Sequence, residues 1–465
     1  MSTTKPPEKP VRLGGGIVLL PGFSGFPSVH TFQLLQPYSL GADAFYVEPG
    51  LINDALALLR LMRMEDIRQL QILSIRPVGR SILGGKGPHT FPHNRLIHNL
   101  RAGALHGVIG QAIGLGSEQL TIGILADCMH DNFTCAGGDS WKDVNHQTTL
   151  FDEDDSFADK IFRYYGADWN QFCFNHNYRT PGQIRQQLQE IIYGQGLHGE
   201  IHEVADTASY MLGDLEEIEA VCPDSESRIL DRGRDRHLVV APDFAEILQA
   251  AKHPWDIWNS LVEKNGHLVV TDPVALNNFL LLRVLLWKNL YQNPARKVLE
   301  MLLRNIVYPY MVSRKLIQIS DLPTKGDTWL FDIVEQEMGW QKGQSSDLNL
   351  LGSFPKRKAF ATWEKALAFE EKKYNSGAFT LVFSVRDFQR TNSKTDKYQV
   401  FGPDGRVDTF KAVYPKHAAV IDQIAKDSTA PALPVQVVYV EHPQVSDNLR
   451  LAWREARARW RQRVD

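Results

Sequence analysis

The stretch PHNRLIHNLRAGAL, residues 92–105, combines two histidines and two arginines with apolar residues. The apolar residues recur every three or four positions, which predicts a buried helix over residues 94–114. Arg95 and His98 fall inside this helix, and burying a guanidinium or an imidazole is costly unless it has partners. We therefore expect this helix to meet either solvent or a charged group.

A second segment, ILADCMHD at residues 124–131, ends another apolar helix with an adjacent histidine and aspartate. Ser117 is the expected N-cap of that helix. His130 and Asp131 can both turn toward one ion, because together they offer an imidazole nitrogen and a carboxylate oxygen. His98 lies on the preceding predicted helix, and a helical hairpin would bring it near this pair.

A further aspartate completes a set of metal ligands. Asp206, in EVADTASYM at residues 203–211, interrupts an apolar helix face. With the two histidines and Asp131 it forms a borderline-hard donor set that suits iron, manganese, cobalt, nickel or zinc. Four protein ligands leave positions for water and a phosphate oxygen, as metal-assisted phosphoester hydrolysis requires. The alternative from spacing alone is a surface pair with ordinary core histidines.

The order of these residues, H…HD…D, resembles the signature of the HD-domain metal-dependent phosphohydrolases. The local match is closest to the deoxynucleoside triphosphate triphosphohydrolase branch, which includes bacterial dGTPases and the SAM-and-HD-domain dNTPase. Residues 92–105 resemble the H-N-R-x-x-H-S block of that branch, and EVADTASYMLGD at 203–214 resembles its D-x-x-x-Y-x-x-x-D block. The resemblance spans roughly residues 46–310 and implies a mainly α fold with an HD-domain helical core.

The resemblance also implies roles for single residues. One divalent transition metal is expected to be held by His98, His130, Asp131 and Asp206. Substrate binding is expected from Arg95, Tyr210, Arg283 and Tyr291. A guanidinium suits phosphate because its fork of N–H donors matches the phosphate oxygens. Magnesium on the substrate phosphates is a further ion that the resemblance allows.

The sequence departs from the family after the His-Asp pair. The family has two further histidines there, whereas this chain has Thr134 at the first position and Asp139 near the second. Thr207 stands where a lysine often follows the last metal ligand in the family. These changes leave both the choice of substrate and turnover itself open.

One later histidine is the candidate for the missing catalytic group. His146 matches a second catalytic histidine of the family, and we expect it to protonate the leaving group. Asp139 or Asp143 would orient it. Lys142 is expected to replace a missing phosphate contact.

The chain divides into three predicted regions. Residues 1–50 carry short β-like runs broken by glycine and proline, and residues 51–345 hold the helical HD-domain core. Residues 346–465 form an α+β region, in which Asp404-Gly405 is a hairpin signal.

Two proline residues mark helix starts in the central region. Thr180-Pro181 and Asp272-Pro273 each place proline at the first helical position. Residues 272–312 read as helical throughout, and residues 447–465 read as a basic helix with a solvated arginine face.

Composition sets limits on partners and location. The net charge of −3 gives no general attraction to nucleic acid. The four cysteines form no CxxC pair, which is typical of a reducing compartment. No segment reads as a signal peptide or a membrane span, so we expect a cytoplasmic protein without a membrane partner.

The expected activity follows from the resemblance. It is the metal-dependent hydrolysis of a (deoxy)nucleoside triphosphate to the nucleoside and triphosphate. The alternatives are an HD phosphohydrolase of another phosphoester, such as a nucleoside monophosphate or a cyclic nucleotide, and a catalytically decayed nucleotide-binding sensor or scaffold. The expected partner is a nucleotide, and a homo-oligomer is expected because family members often assemble.

Overall fold

The computed structural model describes a mainly helical protein with small sheets, as the sequence predicts. Of the described residues, 66% are helical and 13% lie in strands. The structure describes residues 11–13, 17–19, 61–67, 94–132, 134–141, 166–175, 181–221, 257–258, 260–291, 300–339, 356–384, 392–429, 433–441, 443 and 445–462.

The helices of the described residues are numbered in chain order. They are α1 Arg95–Ala112, α2 Ser117–Met129, α3 Gly166–Asn175, α4 Pro181–Ile192, α5 Gly196–Val221, α6 Pro273–Leu286, α7 Tyr308–Ser313, α8 Asp327–Met338, α9 Trp363–Asn375, α10 Phe410–Val413, α11 Pro415–Thr429 and α12 Asp447–Gln462. Single π-helical turns cover Trp287–Tyr291 and Leu303–Val307, and 3-10 turns cover Leu61–Asp66, Gly138–Trp141 and Ile319–Asp321.

The strands form three small sheets. They are β1 Val11–Leu13, β2 Ile17–Leu19, β3 Leu261–Lys264, β4 His267–Val270, β5 Lys356–Phe360, β6 Phe379–Ser384, β7 Gln399–Phe401, β8 Val407–Thr409 and β9 Val435–Val440. The orders are β1-β2, β3-β4-β7-β8 and β5-β9-β6. Neighbouring strands run antiparallel except β4 and β7, which are parallel.

Three helices, α1, α2 and α5, position the candidate site because they pack against one another. Most of α1 is buried, including Arg95 and His98. The helix begins after Asn94, whose side chain accepts a hydrogen bond from the backbone N–H of Ile97 at 2.9 Å. The predicted helix over 94–114 is therefore α1, with its polar residues inside the protein.

The start of α2 corrects a detail of the sequence analysis. Its N-cap is Gly116, and Ser117 is the first helical residue. Gly116 has the extended backbone that an N-cap requires, and its N–H donates to the side chain of Gln119 at 3.2 Å. The side-chain oxygen of Gln119 thus satisfies the backbone N–H of the N-cap residue, as the N3 side chain does in a capping box.

The proline-led start of α6 is confirmed. The side chain of Asp272 caps the helix by accepting from the N–H groups of Val274 and Ala275 at 2.8 and 3.2 Å. The predicted helical stretch 272–312 is helical at each of its described residues after Asp272, although α6 gives way to a π-helical turn at Trp287–Tyr291. Pro181 begins α4, and Thr180 lies outside the described residues.

Two hairpins carry a glycine with positive φ in their turns, and the sequence analysis found one of them. Gly405 has φ of 77° in the β7–β8 turn, as predicted. The β3–β4 hairpin was missed, although Asn265 and Gly266 have the positive φ angles (56° and 80°) that a type I′ turn needs.

A close approach between α1 and α2 gives the first testable prediction. A Cβ atom on Gly123 would lie 2.0 Å from Nε2 of His106, and His106 is fully buried and hydrogen-bonded to Asp127. We expect Gly123→Ala to destabilise the protein by about 1–3 kcal/mol, since the ring has no room to retreat.

Thermal unfolding measures this effect, with Gly182→Ala as the matched control. Gly182 lies in the first turn of α4, and a Cβ there would meet nothing within 4 Å. A Gly123→Ala melting temperature equal to that of the control would contradict the tight packing.

None of the helices that the structure describes is long and apolar enough to cross a membrane.

Candidate metal centre

The structure brings two histidines and an aspartate from three helical segments to one point. His98 lies on α1, His130 directly follows α2, and Asp206 lies on α5. Their ligand atoms lie within 4.8 Å of one another. His98 Nε2 is 3.2 Å from His130 Nε2 and 3.0 Å from Asp206 Oδ1, and His130 Nε2 is 3.3 Å from the same oxygen.

These separations match those expected around one metal ion. Ligands that lie about 2.1 Å from a common ion are roughly 3.0 Å apart at a right angle and roughly 3.4 Å apart at a tetrahedral angle. Two imidazoles and a carboxylate are the ligand types that first-row transition metals prefer. The residues therefore fit such an ion in both geometry and chemistry.

The hydrogen bonds at the far side of each ring orient the nitrogens toward the centre. His130 Nδ1 donates to the backbone carbonyl of Asp127 at 2.7 Å, because a carbonyl can only accept. The hydroxyl of Ser209 donates to the carbonyl of His98 at 2.7 Å and so accepts from His98 Nδ1 at 3.0 Å. Both Nε2 atoms then present lone pairs to the same point, as metal-ligating histidines do.

This arrangement is electrostatically unfavourable unless a cation is bound. Two nitrogen lone pairs and a carboxylate oxygen converge at about 3 Å, where they repel one another. Burial by itself lowers the pKa of the His130 imidazole, but the charges of Asp131 and Asp206 raise it to about 10. When a proton occupies the site instead of a metal ion, burial raises the pKa of the Asp206 carboxyl, but a hydrogen bond from the protonated His130 holds it well below the usual range. The site thus attracts positive charge.

The fourth expected ligand, Asp131, lies beside the cluster and pairs with an arginine. Its Oδ2 is 3.5 and 3.6 Å from the two Nε2 atoms and 2.5 Å from Nη1 of Arg95. Thr134 donates to its other oxygen at 3.2 Å. Burial by itself raises the pKa of the Asp131 carboxyl, but the positive charge of Arg95 lowers it below its usual value. Arg95, expected at substrate phosphate, therefore holds Asp131 in place.

A second buried network supports the cluster from behind. Asp127 is fully buried and accepts from Nδ1 of both His106, at 2.5 Å, and His202. His106 Nε2 continues the chain to His198 Nδ1 at 3.1 Å. The ring of His202 packs edge-on against that of His130, with centroids 5.2 Å apart. Asp127 thus ties α1, α2 and α5 together directly behind the candidate metal ligands.

The two tyrosines expected at the substrate lie close together, Tyr210 on α5 and Tyr291 at the end of the π-helical turn that follows α6. Tyr210 packs edge-on against Tyr291, with ring centroids 6.2 Å apart. The hydroxyl of Tyr291 donates to Asp214. Arg283 is buried, and its Nη1 donates to the backbone carbonyl of Asn392 at 2.5 Å.

A lysine from the C-terminal region reaches the same helix. Nζ of Lys394 lies 3.1 Å from the hydroxyl of Thr207 and 2.8 Å from a carboxylate oxygen of Glu203. Burial, together with the nearby charge of Arg283, lowers the pKa of Lys394 to about 8. Thr207, the position at which the family often has a lysine, is therefore in contact with a lysine from elsewhere in the chain.

Four expected residues are not placed by the structure. Lys142, Asp143 and His146 lie outside the described residues, and of Asp139 only the backbone, in the 3-10 turn Gly138–Trp141, is described. The sequence analysis missed Asp127 and Lys394. Asp127 had a local signal, because it lies three residues before His130 in an otherwise apolar helix.

Comparison with known proteins adds no assignment. No protein-family model matches this chain, and no curated protein sequence matches it.

Proposed function

We propose that this protein is a metal-dependent phosphohydrolase of the HD-domain type that acts on nucleotides. Its reaction would add water across the bond between the α-phosphorus and the 5′ oxygen of a (deoxy)nucleoside triphosphate, giving the nucleoside and triphosphate. The observation that carries the proposal is the convergence of His98, His130 and Asp206, with separations of 3.0–3.3 Å.

When bound, a divalent transition metal would supply Lewis-acid activation of water and of a phosphate oxygen. The chain's own residues orient the donors, since Asp127 and Ser209 fix the two imidazoles. Asp206 is the most exposed ligand, with 32% of its side chain accessible. Substrate would therefore approach from the side of Asp206.

A second candidate is a nucleotide-binding sensor. It is favoured by Thr134, whose hydroxyl donates to Asp131 and cannot protonate a leaving group as the family's histidine does. The expectation that His146 supplies the proton, with Asp139 or Asp143 orienting it, stays a prediction, as do the cytoplasmic location and the homo-oligomer.

Elemental analysis of the purified protein combined with a substrate screen tests the proposal. We expect about one transition-metal ion per chain, and turnover of nucleoside triphosphates with added manganese, iron, cobalt, nickel or zinc, each with and without magnesium. The screen includes nucleoside monophosphates and cyclic nucleotides, which represent other phosphoesters. Thermal stabilisation by nucleotide without any product would favour the sensor, and the absence of both metal and turnover would refute the hydrolase.

A further inference from the structure

The segment that carries Lys394 is hydrogen-bonded to α11 on both sides of the lysine. Ser393 and Thr395 both donate to Oδ1 of Asp422, the latter at 2.7 Å. The carbonyl of Thr395 also accepts from the backbone N–H of Lys411 at 2.8 Å. Lys394, between these two anchors, has a φ of 56° in the left-handed region. Such a conformation in a non-glycine residue persists only where its surroundings enforce it.

This conformation directs the lysine to α5 beside the metal ligands. Its ammonium group contacts Thr207, the residue directly after Asp206, and only 16% of the side chain is exposed. The charge of Asp206 and the hydroxyl of Tyr210 also lie near enough to raise the pKa of its ammonium group, against the larger effect of burial. A residue of the C-terminal region thus lies within the candidate site.

Three cationic side chains, those of Lys394, Lys397 and Arg283, gather on this side of the candidate site. Glu203 pairs with both Lys394 and Lys397, so one carboxylate serves two ammonium groups. Arg283 adds a third cation with only 5% of its surface exposed. Its Nε atom is buried and has no hydrogen-bond partner among the residues that the structure describes. Buried cations placed together are costly unless an anion joins them.

We propose that Lys394, together with Arg283 and Tyr210, binds the phosphate chain of a nucleotide next to the metal ligands. This inference rests on the proposed function, because it assigns a ligand to the same site. It gives the C-terminal region a part in the site, since Lys394 contacts Thr207, the residue next to Asp206. A lysine is suited to phosphate as a compact point charge with three donors.

The test measures binding of inorganic tripolyphosphate to the purified protein by calorimetry, which needs no turnover. Losing a hydrogen bond to a charged group should weaken binding by about tenfold to a hundredfold in Lys394→Met. Lys397→Met is the matched control, because it shares Glu203 but has 55% of its side chain exposed. We expect that control to bind within about twofold of wild type. Lys394→Arg should retain most of the affinity.

The outcomes separate this inference from the proposed function. Lost tripolyphosphate binding in Lys394→Met, with metal content and melting temperature retained, supports the phosphate site even if no nucleotide is hydrolysed. Wild-type protein that does not bind tripolyphosphate overturns it. So do equal affinities in the Lys394→Met and Lys397→Met variants, even if wild type hydrolyses nucleotides. Lys394→Met could also lose tripolyphosphate binding together with a fall in melting temperature, without recovery of binding in Lys394→Arg. That result would show that Lys394 has a structural role, and it would overturn the inference.

Discussion

Replacing His98 with alanine should abolish both the metal binding and the nucleotide hydrolysis that we propose. His98 supplies one of three donor atoms, and its Nε2 lies 3.0–3.2 Å from the other two. Loss of an outer-shell partner typically costs about 10–100-fold in metal affinity, and loss of a direct ligand should cost more. In the variant, His130 and Asp206 would be left as an ordinary ion pair. Elemental analysis and nucleotide turnover measure both effects.

A matched control separates ligation from the general loss of a histidine. His267 also contacts a carboxylate, since its Nδ1 is 2.8 Å from Glu200, but 52% of its side chain is exposed. We expect His267→Ala to keep its metal and activity. Asp206→Asn adds a variant at a partly exposed position, where folding is less affected, and it should also lose metal. Full metal content in either ligand variant would rule out the centre.

The largest effect on stability is expected from Asp127→Asn. Asp127 is a fully buried carboxylate that accepts from two imidazoles. Burial opposes ionisation, but His202 and His106 lower the pKa of its carboxyl, so it is charged when folded. An amide of the same shape removes the charge and places a donor against one imidazole N–H. Losing a hydrogen bond to a charged group costs about 1.5–3 kcal/mol and an unsatisfied buried donor costs about 1–3 kcal/mol, which urea unfolding would measure as a lower midpoint.

The control for this substitution is Asp272→Asn. Asp272 caps α6, and asparagine and aspartate are nearly equivalent as N-caps. The control should therefore unfold at the wild-type midpoint. A loss of less than about 1 kcal/mol in Asp127→Asn would show that the network behind the metal ligands contributes little to the fold.

Much of the fold was predictable because the helices carry clear apolar periodicity. α1 lies within one or two residues of its predicted bounds, and the caps at Asn94 and Asp272 have side chains that mark them in the sequence. The β3–β4 hairpin was missed although Asn265-Gly266 is a strong turn signal, because its flanking strands have only four residues each. The π-helical turn at Trp287–Tyr291 has no local signal that distinguishes it from α-helix.

The candidate site was predictable only in part. The His130-Asp131 dipeptide and its spacing from His98 and Asp206 are visible in the sequence, and the structure brings all four side chains together. The approach of Lys394 to Thr207 depends on a sequence separation of 187 residues. Contacts across such distances arise from tertiary packing, which local patterns do not encode.

The parallel pairing of β4 with β7 has a consequence for how the chain tolerates being cut. Val269 and Val270 of β4 pair with Gln399 and Val400, so a polypeptide that ends before residue 346 lacks the neighbour of β4. One side of that strand would then carry open N–H and C=O groups. Because β4 is apolar over Leu268–Val270, this edge would be a template for joining one copy to another. The intact chain prevents such polymerisation by closing the edge with its own later strand.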